Sequence, residues 1–252
     1  MPRQARIALA GVPVHIIQRG HNRSVCFFSD QDFVRYLDEL AELSVRSGCA
    51  VHAYCLMTNH VHLLLTPQEA DGCARLMKHL GQRYVQHVNR TYRRSGTLWE
   101  GRFRSCLVET EHYLFVCGRY IELNPVRAAM VSHPREYRWS SYRANAEGAR
   151  SDLIKPHDLY RTLGGGDQAR RDAYRGLFQD QDMAAIKEIR LATNGGFVLG
   201  GERFRSEVAR MAGRRVVPGK AGRPAREIQP STVSRPVRQT SVSAAIPTRR
   251  FC

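Results

Sequence analysis

A chain of 252 residues, 42% of them hydrophobic, can hold one large domain or a medium domain with appendages around a true core. Its 39 Lys and Arg against 23 Asp and Glu give a net charge of +16, which favours nucleic acid as partner over an anionic membrane surface or a mere solubility charge. Seven cysteines without a CxxC pair argue against a disulfide scaffold or zinc ribbon. No stretch approaches the roughly 18 apolar residues of a membrane span, so the expectation is a soluble cytoplasmic protein, nucleoid-associated through its charge, with no membrane contact.

Val14 to Gln18 is a β-branched run and reads as a strand. Asn22 to Ser29 is a turn-rich connection, and Asp30 to Arg46 reads as a helix with Asp30 as its cap and Phe33, Leu37, Leu40 and Leu43 at helical spacing. Val51 to Met57 and His60 to Leu65 read as two strands joined by the short turn Thr58-Asn59, hence an antiparallel hairpin. A long helix follows from Gly72 to Arg94; Met77, Leu80, Tyr84, Val88 and Tyr92 mark its apolar stripe, and Arg75, Arg83 and Arg90 lie on a basic one. Phe103 to Val108 reads as a fourth strand. Glu111 to Leu123 is a third helix, ended by Asn124-Pro125 because the residue before proline avoids the helical region.

This order suits an α+β, ferredoxin-like fold: a four-stranded antiparallel sheet with helices on one face. Residues 1–143 are expected to form that unit. Residues 144–213 read as a helical appendage, with helices near 156–163, 168–178, 182–192 and 201–211. From 214 to 252 nine Arg or Lys stand against one acid in a sequence poor in apolar residues, which reads as a disordered basic tail.

Chemistry concentrates in Asn59-His60-Val61-His62-Leu63-Leu64-Leu65 and in Arg119-Tyr120-Ile121-Glu122-Leu123-Asn124-Pro125. In a strand, residues i and i+2 share a face, so His60 and His62 project together while Val61, Leu63 and Leu65 point into a core. An H-x-H pair is weak on spacing alone, but neutral imidazoles suit borderline divalent cations. Tyr120 and Asn124, four apart, share one helical face. By spacing alone Tyr120 reads first as a core tyrosine beside Tyr113, Val116 and Leu123, and Asn124 as a residue that can simply end the helix; Glu122 falls on a different face, solvated or paired with an arginine. No Ser-His-Asp or Cys-His arrangement and no Gly-rich phosphate loop is readable, so no nucleotide cofactor is expected.

Further blocks accompany these: Gln18-Arg19-Gly20-His21-Asn22-Arg23, His52-Ala53-Tyr54, Met57-Thr58-Asn59, Gly96-Thr97-Leu98-Trp99-Glu100-Gly101-Arg102-Phe103, Pro125-Val126-Arg127-Ala128 and Trp139-Ser140-Ser141-Tyr142. In this order they resemble the REP-associated tyrosine transposases (RAYT), within the single-tyrosine HUH transposase superfamily, over residues 13–142. The resemblance implies a ferredoxin-like catalytic domain in which His60, His62 and Asn124 bind Mg²⁺ or Mn²⁺ and Tyr120 is the nucleophile. It implies a single-stranded, hairpin DNA substrate, a covalent 5′-phosphotyrosine intermediate, and strand rejoining without ATP.

Charge and resemblance together nominate Arg75, Arg83, Arg90, Arg102, Arg104 and Arg127 to track phosphates, and Arg19 and Arg23 to guide the DNA tail. Trp99 is either a base-stacking platform or a core residue. A monomer and a homodimer both remain open. Two rivals fit the same charge and fold: a domesticated, non-catalytic transposase that binds repeat hairpins as a regulator, and a metal-dependent nuclease with water as nucleophile.

Overall fold

The computed structural model describes residues 5–179 and 183–219, so most of the expected basic tail lies outside the described residues. Residues up to Pro218 make one compact unit. Strands β1 (Val14–Arg19), β2 (Cys49–Met57), β3 (His60–Pro67) and β4 (Arg104–Val108) form the sheet in the order β2-β3-β1-β4, every neighbouring pair antiparallel. This is the expected ferredoxin-like arrangement. A fifth strand, β5 (Val198–Leu199), adds in parallel to β4 and makes the sheet mixed. Two residues behind Gly195-Gly196 are too short for any alternation to announce them.

The helices cover both faces of the sheet, where one face was expected. Alternation sends Val14, Ile16 and Gln18 of β1 to one side and His15 and Ile17 to the other. Val14, His15, Ile16 and Gln18 are all buried, and a strand buried on both faces needs a layer on each. Helices α1 (Asp30–Arg46) and α2 (Gly72–Thr91) pack against each other on the Gln18 side, where Gly81 of α2 lies opposite the Gln18 amide. Helix α3 (Thr110–Glu122) lies on the His15 side, followed by the single turn α4 (Asn124–Arg127). The short helices α5 (Tyr142–Glu147), α6 (Asp158–Thr162) and α7 (Asp167–Gly176) carry a second apolar cluster of Tyr142, Ala146 and Tyr174. Helix α8 (Met183–Gly195) packs on β4 and α3, and α9 (Glu202–Ala212) on β5, so part of the sequence beyond 143 completes the core layer.

Local chemistry departs from expectation at two points. Ser29, not Asp30, is the N-cap of α1, and Asp32 Oδ2 accepts the backbone N–H groups of Phe28 (2.7 Å) and Ser29 (3.0 Å). Trp99 is 6% exposed and packs against Tyr84 and Tyr36, so it is a core residue and not an open stacking platform. Among the described residues no helix is long and apolar enough to cross a membrane.

Gly20 ends β1 and pairs with Trp99, which holds the β1 end against the 98–104 segment. A Cβ there would lie 2.2 Å from the Ser24 carbonyl oxygen. Gly20→Ala is therefore expected to destabilise the protein by roughly 1–3 kcal/mol, since backbone must move; a urea midpoint unchanged from wild type would contradict this packing.

Candidate active site

Strand β3 carries His60 and His62 to the face covered by α3, and β1 lays Ile17 directly beside His62. Tyr120 comes from the last turn of α3 and Asn124 from the start of α4. These four, with Arg19, Arg102, Arg104 and Arg127, line one open cavity of about 320 Å³. Arg190 and Asn194 of α8 close its side, and among the described residues Glu100 is the one acid in its wall. Glu100 lies 3.6 Å from Arg104, so most of the cationic charge in the cavity is left for a ligand.

The two imidazoles are inclined at 73°, ring centroids 5.0 Å apart. His60 Nδ1 donates to Asn59 Oδ1 at 2.6 Å, and the Asn59 amide is itself fixed by donating to the Arg23 carbonyl at 3.0 Å. His62, 2% exposed, places Nδ1 3.0 Å from His15 Nε2. Both rings thus engage Nδ1, and neither Nε2 has a partner among the described residues. Burial, with a smaller push from Arg19, lowers the His60 pKa to about 4, and burial holds His62 well below its ordinary value. Both are neutral at neutral pH, as a metal-ligating imidazole must be.

Asn124 Nδ2 donates to the carbonyls of Tyr120 (3.1 Å) and Ile121 (3.2 Å), capping the end of α3 and leaving Oδ1 as its free acceptor. Among the described residues no group of three or more His, Cys, Asp or Glu is placed to hold a metal. A cation in this cavity would rely on two imidazole nitrogens and an amide oxygen. That donor set fits a divalent ion that keeps coordination positions open for phosphate oxygens or water.

The Tyr120 ring is 5% exposed and fixed on three sides: edge-on to His62 at 5.7 Å and to His15 at 5.8 Å, and under the Arg127 guanidinium at 4.4 Å. Its hydroxyl has no hydrogen-bond partner among the described residues. Arg127 Nη2 donates to the Tyr120 carbonyl, while Nε and Nη1 are buried without partners among the described residues. Unmet guanidinium donors beside a free hydroxyl are suited to an incoming anion.

The remaining nominated arginines lie elsewhere. Arg75 is paired with Glu69 at 2.7 Å and with Asp71, and Arg83 with Glu42 at 2.9 Å. Arg90 and Arg23 are exposed outside the cavity, and Arg23 serves it only through the carbonyl that orients Asn59. Glu122, expected to be solvated or paired with an arginine, is instead fully buried. It accepts from Ser141 Oγ (2.5 Å), Asn145 Nδ2 (2.8 Å) and the Tyr174 hydroxyl (2.9 Å). The reason is that α3 is sandwiched: Tyr120 faces the cavity while Glu122 faces α5 and α7.

His15, Arg190, Thr193 and Asn194 were not foreseen. His15 in a β-branched strand reads as an ordinary buried polar residue. Arg190, Thr193 and Asn194 share a helical face, a signal visible only once α8 is known to cover the sheet.

Tyr120 of α3 thus faces the H-x-H pair of β3 on one side of the sheet. Residues 9–124 match the family model of the IS200-like transposases. Its fold is similar to that of a REP-associated tyrosine transposase solved bound to a REP hairpin: 15% identity, 62% of this chain and 93% of that chain covered, TM-score 0.51. A transposase candidate from Deinococcus radiodurans R1 is 24% identical over 48% of this chain and 96% of its own, with a TM-score of 0.34. No curated protein matches the sequence.

Proposed function

We propose that the protein is a REP-associated type of transposase that cuts and rejoins single-stranded hairpin DNA through a covalent 5′-phosphotyrosine on Tyr120. One observation carries this reading: Tyr120, His60, His62 and Asn124 line a single cavity with Arg19, Arg102, Arg104 and Arg127. Arg19, Arg102 and Arg104 hold the backbone phosphates on either side of the scissile one. Arg127 turns its two unpartnered donors to a non-bridging oxygen of that phosphate. The Tyr120 oxygen attacks phosphorus in line and loses its proton; the bond from phosphorus to the 3′ oxygen breaks, and that oxygen leaves as a 3′-hydroxyl. The phosphotyrosine ester conserves the bond, so attack by another 3′-hydroxyl reverses the step and joins strands without ATP. His60, His62 and Asn124 would hold Mg²⁺ or Mn²⁺, which when bound supplies positive charge against the oxygens of the scissile phosphate.

The test is a labelled hairpin DNA with a single-stranded flank, incubated with the protein and Mn²⁺ and resolved on a denaturing protein gel. A DNase-resistant covalent band is the expected result. Hairpin binding without any adduct or cleavage would leave the regulator; cleavage without an adduct would leave the water-using nuclease. Arg127→Ala is expected to slow adduct formation on the order of 10²-fold, the usual cost of removing one donor from a developing anion, while hairpin affinity falls far less.

A further inference from the structure

His15 is fully buried and does not line the cavity, yet both of its ring nitrogens are engaged. The direction of its hydrogen bonds follows from one fixed end. Thr193 Oγ1 donates its only proton to the Ile189 carbonyl at 2.8 Å, one turn back in α8. The same oxygen is 2.8 Å from His15 Nδ1 and 3.2 Å from Cys106 Sγ, so towards both it acts as acceptor. His15 therefore carries its proton on Nδ1 and presents a lone pair at Nε2. That lone pair, 3.0 Å from His62 Nδ1, requires the proton of His62 to sit on Nδ1. Any other assignment sets two N–H groups or two lone pairs against each other in a buried space, which is costly.

We infer that Thr193 and His15 are positioning residues that fix His62 as its Nδ1–H tautomer, so that α8, outside the segment matched to the family, sets the cation-binding lone pair of the H-x-H motif. This rests on the reading of His62 as a cation ligand. Metal-bound histidines depend on such a partner for ring orientation and tautomer. His60 receives the same Nδ1–H assignment from a separate source, the Asn59 amide fixed by the Arg23 carbonyl. Two independent chains of hydrogen bonds, from β1 and α8 on one side and from the β1 end on the other, leave both Nε2 atoms unprotonated beside Asn124 and Tyr120.

The experiment has two readouts on the full chain. Nitrogen-15 NMR of histidine-labelled, metal-free protein assigns the tautomer of each ring, and Mn²⁺ titration followed by electron paramagnetic resonance gives the ion's affinity. Wild type is expected to show Nδ1–H for His15, His60 and His62. Thr193→Val and His15→Phe both keep bulk and remove the relay. Each is expected to move His62 towards Nε2–H and to weaken Mn²⁺ binding roughly 10- to 100-fold. His15→Gln, whose amide oxygen accepts from His62, is expected to recover most of that loss, which a simple packing role does not predict. An Nε2–H tautomer of His62 in wild type overturns the inference whatever the metal does. So does Mn²⁺ affinity within twofold of wild type in folded Thr193→Val and His15→Phe while His62→Ala abolishes binding. Mn²⁺ binding that survives His62→Ala removes the ligand reading instead, and the relay's function with it.

Discussion

Tyr120→Phe is expected to eliminate the protein–DNA adduct, lowering its formation by a factor on the order of 10³ or more, and to leave hairpin binding and folding as in wild type. The contrast follows from how the residue is held. Its ring makes the contacts: His62 at 5.7 Å, His15 at 5.8 Å and the Arg127 guanidinium at 4.4 Å. Phenylalanine keeps all three. The hydroxyl contributes no hydrogen bond among the described residues, so its loss leaves no orphaned partner, and the stability change should stay within about 0.5 kcal/mol. Denaturation midpoints, hairpin affinity and adduct yield measured on one preparation separate the outcomes. Cleavage that persists in Tyr120→Phe at the wild-type rate would remove the tyrosine from the mechanism.

What the sequence disclosed about this site was whatever strand and helix periodicity carry. The period of two in β3 placed His60 and His62 on one face, and the apolar residues between them fixed which face was core. The four-residue spacing of Tyr120 and Asn124 put both at the end of one helix. Register and layering lie beyond such local signals. His15 meets His62 because β1 pairs with β3 so that Ile17 is directly opposite His62, which no residue in β1 declares. Thr193 lies 178 positions from His15 and reaches it only because α8 packs over β4. The α2 arginines show the converse: their stripe is legible, but α2 lies on the other face of the sheet, and Arg75 and Arg83 are engaged by Glu69, Asp71 and Glu42. Glu122 was misjudged for the same reason, because helical spacing separates its face from that of Tyr120 without saying that both faces are buried.

That buried carboxyl makes stability fall as pH rises. No Arg or Lys pairs with Glu122 among the described residues; its neighbours are Ser141, Asn145 and Tyr174, with Tyr54 and Cys55 of β2 also close enough to feel its charge. Burial raises its pKa from 4.5 to about 7, against the pull of its three hydrogen-bond donors. Between those two values the unfolded chain has released the proton while the folded chain keeps it. The unfolded state then binds fewer protons, so this group's contribution is full below pH 4.5 and is lost as pH rises through 7. At about 1.4 kcal/mol per unit, the loss is on the order of 3 kcal/mol. His15, lowered by burial to about 3, and His60, lowered to about 4, act in the opposite sense, adding stability as pH rises towards 6.5. The wild-type profile is thus a composite, and the informative quantity is the difference from Glu122→Gln. Glutamine mimics the protonated acid, with its amide N–H donating to the Tyr174 oxygen and its carbonyl accepting from Ser141 and Asn145. Urea unfolding at pH 5 and pH 8 should show the variant gaining on wild type by on the order of 3 kcal/mol at the higher pH. Parallel profiles for the two proteins would mean that Glu122 is ionised in the folded state throughout, and that its three donors outweigh its burial.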